Sequence, residues 1–177
     1  MNFFKHLKTV IRHRRAVRKL CFKCGLIRQG LTHDLSKFSR AEFKAGVKYY
    51  QGNRSPQAKE REVLGFSAAW LHHKGRNKHH AEYWTDSGGV GAMSPVVMPA
   101  KYFAEMVCDR IAASKIYKGK NYNDGCPLEY FHCRRDSVVM HPATAERLKY
   151  FLMMLKDEGE EKTLKEIAEI TDTNLNT

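Results

Sequence analysis

The chain has 177 residues, of which 42% are hydrophobic, a length that suits one well-buried core and is short for two. We therefore predict a single domain over residues 1–177. The formal net charge of +12 is uneven: residues 1–50 carry thirteen Lys or Arg and two acids, whereas residues 151–177 carry three Lys and seven acids. This asymmetry favours an anionic partner, such as a nucleotide, a phosphorylated metabolite, nucleic acid or a membrane surface.

The same composition bears on the cellular setting. Five cysteines, an odd number without the spacing of a small disulfide-rich domain, predict a reducing environment. No apolar run approaches the roughly 18 residues that a membrane span needs, and residues 1–15 contain too many basic side chains for a signal peptide. We expect a cytoplasmic protein with no membrane partner.

The first predicted helix covers residues 3–24, where the apolar positions recur at helical spacing and Gly25 is a plausible stop. His13 falls on the apolar seam and is expected to face inward, either as a core histidine or as a metal ligand. The basic residues of this helix mostly face outward, where they form a solvated surface or one that binds anions: Arg12, Arg14, Arg15, Arg18 and Lys19.

The next segment, residues 31–38, is predicted as a short helix that carries His33 and Asp34 side by side. Neutral imidazole and carboxylate oxygen together suit zinc, iron, manganese or magnesium, and adjacent ligands can reach one ion or bridge two. Ser39 and Glu42 have capping-box spacing, so a new helix is predicted from there to Gly52.

A histidine cluster follows. Ser55-Pro56 predicts the start of a helix that runs to about Gly75 and brings His73 inward, although the neighbouring His72 remains an alternative. His79-His80 comes after a short turn, and the choice between these two also stays open. Four histidines within nine residues are hard to explain by packing, so a metal or phosphate role is favoured.

In the second half of the chain, residues 85–95 are rich in Gly and Ser and are predicted as a mobile loop. Met98-Pro99 begins a helix that places Asp109 on an inward seam, where a carboxylate must be paired or bound to a cation. Residues 119–137 are predicted as a long irregular connection, followed by a helix from Pro142 to residue 155. A last short helix is predicted from Thr163 to about residue 170, which makes the chain all-α.

These motifs resemble the HD-domain superfamily of metal-dependent phosphohydrolases, in which the order is His, then His-Asp, then Asp. His13, the segment Leu31-Thr32-His33-Asp34-Leu35-Ser36-Lys37 and the stretch Met106-Val107-Cys108-Asp109-Arg110 match that order. The segments HDLSKFS, AWLHH, NKHHAEYW and MVCDRIAAS resemble a small bacterial and phage family of HD-like proteins, and the likeness covers roughly residues 6–120. Ser36 replaces the usual glycine and the Gly-Tyr-Pro motif is missing, so hydrolysis of cyclic di-GMP is not implied.

The resemblance implies an HD-like helical bundle with a metal site between helices and one or two divalent ions, among Fe, Mn, Zn, Mg and Ni. The expected ligands are His13, His33, Asp34 and Asp109 for the first ion and His73 and His80 for the second, with Asp34 bridging. Lys37 is expected to neutralise phosphate charge and Glu82 to assist proton transfer. The expected substrate is a nucleotide or another small phosphate ester.

Two rival functions use the same residues. The superfamily also contains di-iron oxygenases, which would show oxygen uptake and no phosphate release. A nucleic-acid-binding protein with a structural metal is the second rival, and its cue is the basic first helix. The chain has no recognisable nucleic-acid-binding module.

Overall fold

The computed structural model describes residues 2–88, 92–134 and 137–173, and over these residues the chain is mostly helical. The described part contains nine α-helices: α1 Asn2–Lys23, α2 Ile27–Thr32, α3 Arg40–Lys48, α4 Pro56–Leu64, α5 Ala68–Lys74, α6 Ala100–Lys118, α7 Cys126–Arg134, α8 Pro142–Glu158 and α9 Glu160–Thr173. The predicted all-α class is confirmed at this level. A single antiparallel strand pair, β1 Thr85–Gly88 and β2 Ala92–Pro95, accompanies the helices in the described residues.

Helices α1 and α6 form the centre of the molecule. The α6 face toward α1 carries small, fully buried residues at a spacing of four, Ala104, Cys108 and Ala112. Small side chains in one such row let two helix backbones approach closely. Val17 and Cys21 of α1 are fully buried in the same core, which α8 and α9 complete with further apolar side chains. This packing fixes α1 against α6, and each of these helices carries a predicted metal ligand.

Several boundaries differ from the predictions. The helix expected from residue 56 to Gly75 is broken into α4 and α5, because Gly65 ends α4 in the left-handed conformation at φ 77° and Ser67 caps α5 through its side chain. The helix expected to reach Gly52 ends at Lys48. Its predicted start is confirmed, since the Ser39 side chain accepts a hydrogen bond from the Glu42 backbone.

The second half of the chain is also more regular than predicted. The expected loop over residues 85–95 forms the hairpin of β1 and β2, in which Thr85 pairs with Pro95 and Asp86 with Ser94, and its tip lies outside the described residues. The connection expected over residues 119–137 contains α7, and the last helix begins at Glu160 rather than Thr163. Among the described residues, no helix is both long and apolar enough to cross a membrane.

Candidate metal centre

The His33-Asp34 pair lies at a sharp break in the chain. Helix α2 ends at Thr32, and a short 3₁₀ helix follows at Leu35–Phe38, so the prediction of one helix over residues 31–38 was wrong. Asp34 itself adopts the left-handed conformation, φ 54° and ψ 29°, and is the one non-glycine residue with positive φ in the described parts of the chain. Left-handed geometry costs roughly 1–2 kcal/mol for most residues and less for aspartate.

This break brings two neighbouring side chains together. On a continuous helix, adjacent side chains diverge by about 100°. Here His33 Nε2 lies 3.3 Å from Asp34 Oδ2, and both side chains are buried. Backbone strain of this kind persists where surrounding contacts hold it, often at functional sites.

The first group of candidate ligands joins α1, the break and α6. His13 Nε2 lies 3.0 Å from Asp109 Oδ1 and 3.4 Å from Asp34 Oδ2, and it lies 3.3 Å from His33 Nε2. One ligand atom from each of these four residues falls within 4.8 Å of the others. Two imidazole nitrogens and two carboxylate oxygens facing each other at this range fit a bound cation.

The second group shares Asp34 with the first. His73, at the end of α5, and His79 and His80, just beyond it, place one ring nitrogen each within 4.8 Å of the others and of an Asp34 oxygen. Asp34 uses a different oxygen for each group: Oδ2 faces His13 and His33, whereas Oδ1 lies 3.3 Å from His73 Nε2 and 3.5 Å from His79 Nε2. A carboxylate placed in this way can bridge two ions.

Two buried carboxylates hold the histidine rings from behind. Glu105 Oε1 accepts from His33 Nδ1 at 2.8 Å and lies 3.1 Å from His79 Nδ1, so it supports one histidine of each group. Glu42 Oε2 accepts from His73 Nδ1 at 2.7 Å. When Nδ1 donates to a carboxylate, the neutral ring presents the Nε2 lone pair on its other side, as metal-binding histidines do.

Unpaired polar atoms concentrate in the second group. Asp34 Oδ1, His79 Nε2 and His80 Nε2 are buried and have no hydrogen-bond partner within the described structure. A buried polar atom left unpaired costs roughly 1–3 kcal/mol, so three together call for a compensating partner. A cation coordinated by these three atoms would compensate all of them at once.

The electrostatics of the centre follow from this crowding. Burial acts to raise the pKa of Asp34, but His33, Lys37 and His73 outweigh it and hold the pKa well below its usual range. Burial and the neighbouring His79 and His73 hold the pKa of His80 well below its ordinary value, so this ring is neutral. The Asp34 carboxylate and the His80 imidazole therefore have the protonation states that metal ligation requires. At His33 burial acts to lower the pKa, but the surrounding carboxylates raise it, so this ring must lose a proton to bind an ion.

Lys37 lies at the edge of the first group. Its Nζ is 2.7 Å from Asp34 Oδ2. Burial acts to lower the pKa of this ammonium, but the nearby Asp34 and Asp109 raise it, so the group remains charged. Lys37 thus adds a positive charge beside the carboxylates of the first group.

The structure shows which of the neighbouring histidines belong to the second group, a choice that the sequence left open. His73 belongs to the second group, whereas His72 is partly exposed and bonds only to the outer side of Glu42, at 2.7 Å. Both His79 and His80 belong to it, so His79 is an additional candidate ligand. Glu82 belongs to neither group and lies in the short 3₁₀ helix Ala81–Tyr83.

Sequence reasoning missed the supporting carboxylates, although a signal was present. Glu105 precedes Asp109 by four residues on α6, a spacing that puts both on one helix face. Glu42 was noted only for its helix-capping position, and no spacing in the sequence connects it to His73, which lies 31 residues away.

Arg14 ties α1 to the break at His33. Its Nε donates to the His33 carbonyl at 2.8 Å, its terminal nitrogen donates to the Leu31 carbonyl at 3.0 Å, and its guanidinium lies over the Phe38 ring. The basic residues of α1 were predicted to face mostly outward, and Arg14 is the half-buried one among them, because the carbonyls at the end of α2 need donors.

Replacing Arg14 with alanine should lower the free energy of unfolding by about 2 kcal/mol, since hydrogen bonds from a charged donor are lost at a partly buried site. It should also weaken metal binding, because the His33-Asp34 break loses its anchor. Arg15→Ala is the matched control: Arg15 is the exposed neighbour with the same charge. Urea unfolding of both variants checks this, and equal stabilities would contradict the anchoring role.

A small cleft opens beside the first group, with His13 and Lys37 on its wall and His6 further along α1. His6 is buried, and its ring packs against Phe43 and Tyr50. Burial, with a contribution from the Lys37 charge, lowers the pKa of His6 to about 4. The imidazole is therefore neutral at physiological pH.

This shift predicts a pH dependence of stability. Between pH 6.5 and 4 an unfolded chain protonates His6 while the folded chain does not, so the free energy of unfolding falls as the pH falls through that window. From pH 7 to pH 5, the native protein should lose about 2 kcal/mol more than His6→Asn, which cannot titrate. Urea unfolding at both pH values measures the difference, and identical pH profiles would show that His6 is not held neutral.

The fold and the site together define a mostly helical protein in which five histidines and two aspartates form a candidate metal centre. Residues 2–154 match the model of DUF5662, a family of unknown function, and the chain belongs to this family. No curated protein and no solved structure matches the chain.

Proposed function

We propose that the protein is a metal-dependent phosphohydrolase with an HD-type helical fold, acting on a phosphate ester. The observation that carries the proposal is the position of Asp34, whose two oxygens face separate groups of imidazole nitrogens. Two cations held a few ångströms apart by a shared carboxylate suit the hydrolysis of phosphate esters. Five free cysteines support the expected reducing, cytoplasmic setting.

Bound divalent ions would supply a water that is acidic enough to attack phosphorus at neutral pH, together with positive charge for the phosphoryl oxygens. In the overall reaction a water oxygen would bond to phosphorus while the bond from phosphorus to the ester oxygen breaks, and the alcohol would leave with a proton taken from the water. The products are inorganic phosphate and the alcohol, and no redox partner is needed.

The residues of the chain have separate tasks in this reaction. His13, His33, Asp34 and Asp109 would hold one ion, and His73, His79 and His80 would hold the second with the other oxygen of Asp34. Lys37 is placed to neutralise phosphoryl charge that develops in the transition state. Glu105 and Glu42 keep the histidine rings oriented. Since Glu82 lies apart from the candidate ligands, it has no task in this proposal.

The test combines elemental analysis with phosphate release. Protein stripped with a chelator and reloaded with manganese, iron or zinc should bind two ions per chain and release phosphate from monoesters only when loaded. His73→Ala should lose about half of the metal, whereas His72→Ala, the neighbour outside the group, should keep it. Dioxygen uptake by iron-loaded protein without phosphate release would contradict the proposal and favour an oxygenase. Tight duplex binding without either reaction would favour the nucleic-acid rival.

A further inference from the structure

The cleft beside the metal centre has a second end that the proposed reaction does not use. Residues from α1, α3, the connection after α3 and the first turn of α4 line this end: His6, Thr9, Gly46, Tyr50, Arg54 and Gln57. His13 and Lys37 line the end nearest the candidate ligands. A substrate whose phosphoryl group lies beside Lys37 would therefore place its remaining part against His6 and Tyr50.

The His6 side chain is closely packed in the wall of this cleft. Its side chain is more than nine-tenths buried, and its Nδ1 has no hydrogen-bond partner among the described residues. Its ring also occupies the space above Gly46, where a Cβ would lie only 2.1 Å from Nε2. The glycine admits the imidazole, and Nδ1 is a buried polar atom whose hydrogen bond the described residues do not supply.

The Tyr50 hydroxyl offers a second polar contact. Thr9 Oγ1 donates its one proton to the Lys5 carbonyl at 3.0 Å, so the 2.8 Å contact between Thr9 Oγ1 and Tyr50 must be donated by the Tyr50 hydroxyl. The Tyr50 oxygen therefore keeps a lone pair for a hydroxyl donor. Together with neutral His6, it suits an alcohol rather than an ion.

Charges at this end are already paired. The Arg54 guanidinium forms a two-point contact with Glu62 and also donates to Gln51. Glu42 is occupied by His72 and His73. Among the described residues that line this second end of the cleft, no charged side chain is therefore left without a partner. A charged group at the far end of the substrate would find no opposite charge there.

The size of the cleft limits what fits. Its cavity volume is about 50 Å³. An engineered closed cavity that accepts benzene measures about 150 Å³, so this smaller space would not enclose an aromatic base, which would extend from its mouth. A two- or three-carbon group with hydroxyls is of suitable size.

We infer that the cleft lined by His6, Thr9 and Tyr50 is the subsite for the alcohol part of the substrate, which is a phosphate monoester of a small, uncharged, hydroxylated alcohol rather than a nucleotide. The inference rests on the proposed phosphohydrolase function and narrows its substrate class. His6 and Tyr50 hydrogen-bond the hydroxyls while the phosphoryl group lies beside Lys37.

The experiment compares three monoesters with manganese-loaded protein: glycerol 1-phosphate, n-propyl phosphate, which has similar length but no free hydroxyls, and adenosine 5′-monophosphate. The value of kcat/KM should be at least about tenfold higher for glycerol 1-phosphate than for either of the others, because only this ester pairs both polar groups. Equal or better use of adenosine 5′-monophosphate would overturn the inference and leave the proposed function standing.

Variants test the residues directly. His6→Phe keeps an aromatic ring but no polar atom and should raise KM for glycerol 1-phosphate about tenfold, whereas His6→Asn keeps a polar atom near the Nδ1 position and should restore most of the loss. Gly46→Ala should resemble His6→Phe, because its methyl group displaces the imidazole. Lys8→Ala, an exposed change on the same helix, is the control. If His6→Phe and Lys8→Ala have the same KM, His6 does not contact the substrate.

Binding measured by calorimetry separates the two proposals. If none of the three esters is hydrolysed but manganese-loaded protein binds glycerol 1-phosphate and His6→Phe binds it about tenfold more weakly, the subsite stands and the phosphohydrolase function falls. If glycerol 1-phosphate neither binds nor reacts, the subsite is overturned as well.

Discussion

Replacing Asp34 with asparagine should empty both groups of metal and lower phosphate release by about a thousandfold or more. Asparagine tolerates the left-handed conformation that this position requires, so the backbone break is expected to survive. The amide, however, has no negative charge to share between two cations, and its nitrogen is a poor ligand. Among the candidate ligands, Asp34 is the one that belongs to both main groups, which makes this the largest expected single effect.

Two measurements check this prediction. Elemental analysis should find fewer than 0.2 ions per chain, a threshold of about a tenth of full loading. Excess manganese at a hundred times its dissociation constant should raise the unfolding free energy of the native protein by about 3 kcal/mol for each bound ion, about 5 kcal/mol for two, and should leave the variant unchanged. Asp157→Asn, the same change at an exposed carboxylate on α8, is the control. Metal retained by Asp34→Asn would refute the shared site.

The second large effect is expected at Glu105. This residue is not proposed to contact the substrate, but its carboxylate supports the rings of His33 and His79. Glu105→Ala should weaken the binding of both ions by 10- to 100-fold, since the rings that supply one ligand to each group lose their orientation. Glu42→Ala should weaken only the second ion, because Glu42 supports His73 and otherwise contacts His72.

Metal titrations of the two variants distinguish orientation from simple destabilisation. A general loss of stability would affect both ions equally in both variants. The structure instead predicts weaker binding of both ions for Glu105→Ala and weaker binding of only the second ion for Glu42→Ala. Glu105→Gln should recover part of the affinity, because its amide oxygen can still accept from one of the two histidines. Equal behaviour of Glu105→Ala and Glu42→Ala would contradict the assignment of supports.

Much of the centre could be predicted from local sequence. Helical spacing placed His13 on the inward seam of α1 and Asp109 on that of α6, and both are in the first group. The same spacing favoured His73 over His72, which the structure confirms. These predictions succeed because a residue's direction on a regular helix follows from its position relative to buried neighbours.

Predictions failed where the chain departs from regular helices. The left-handed Asp34 and the break at Gly65 depend on one or two backbone angles, and hydrophobic spacing averages over many residues and does not report them. The hairpin of β1 and β2 was missed because Gly and Ser were interpreted as loop residues. Its strands are also only four residues long each, which is too short for a clear alternating pattern.

The sequence by itself determined the helical class, the inward direction of His13, His73 and Asp109, and the chemical types that a metal centre needs. Only the tertiary structure decided that Asp34 lies between two groups, that His79 joins His80, and that Glu105 and Glu42 support the rings. The physical reason is distance along the chain. Helical direction is a local property, set within a turn or two, whereas His33 meets Glu105 across 72 residues and His73 meets Glu42 across 31, through the packing of α1, α3, α5 and α6.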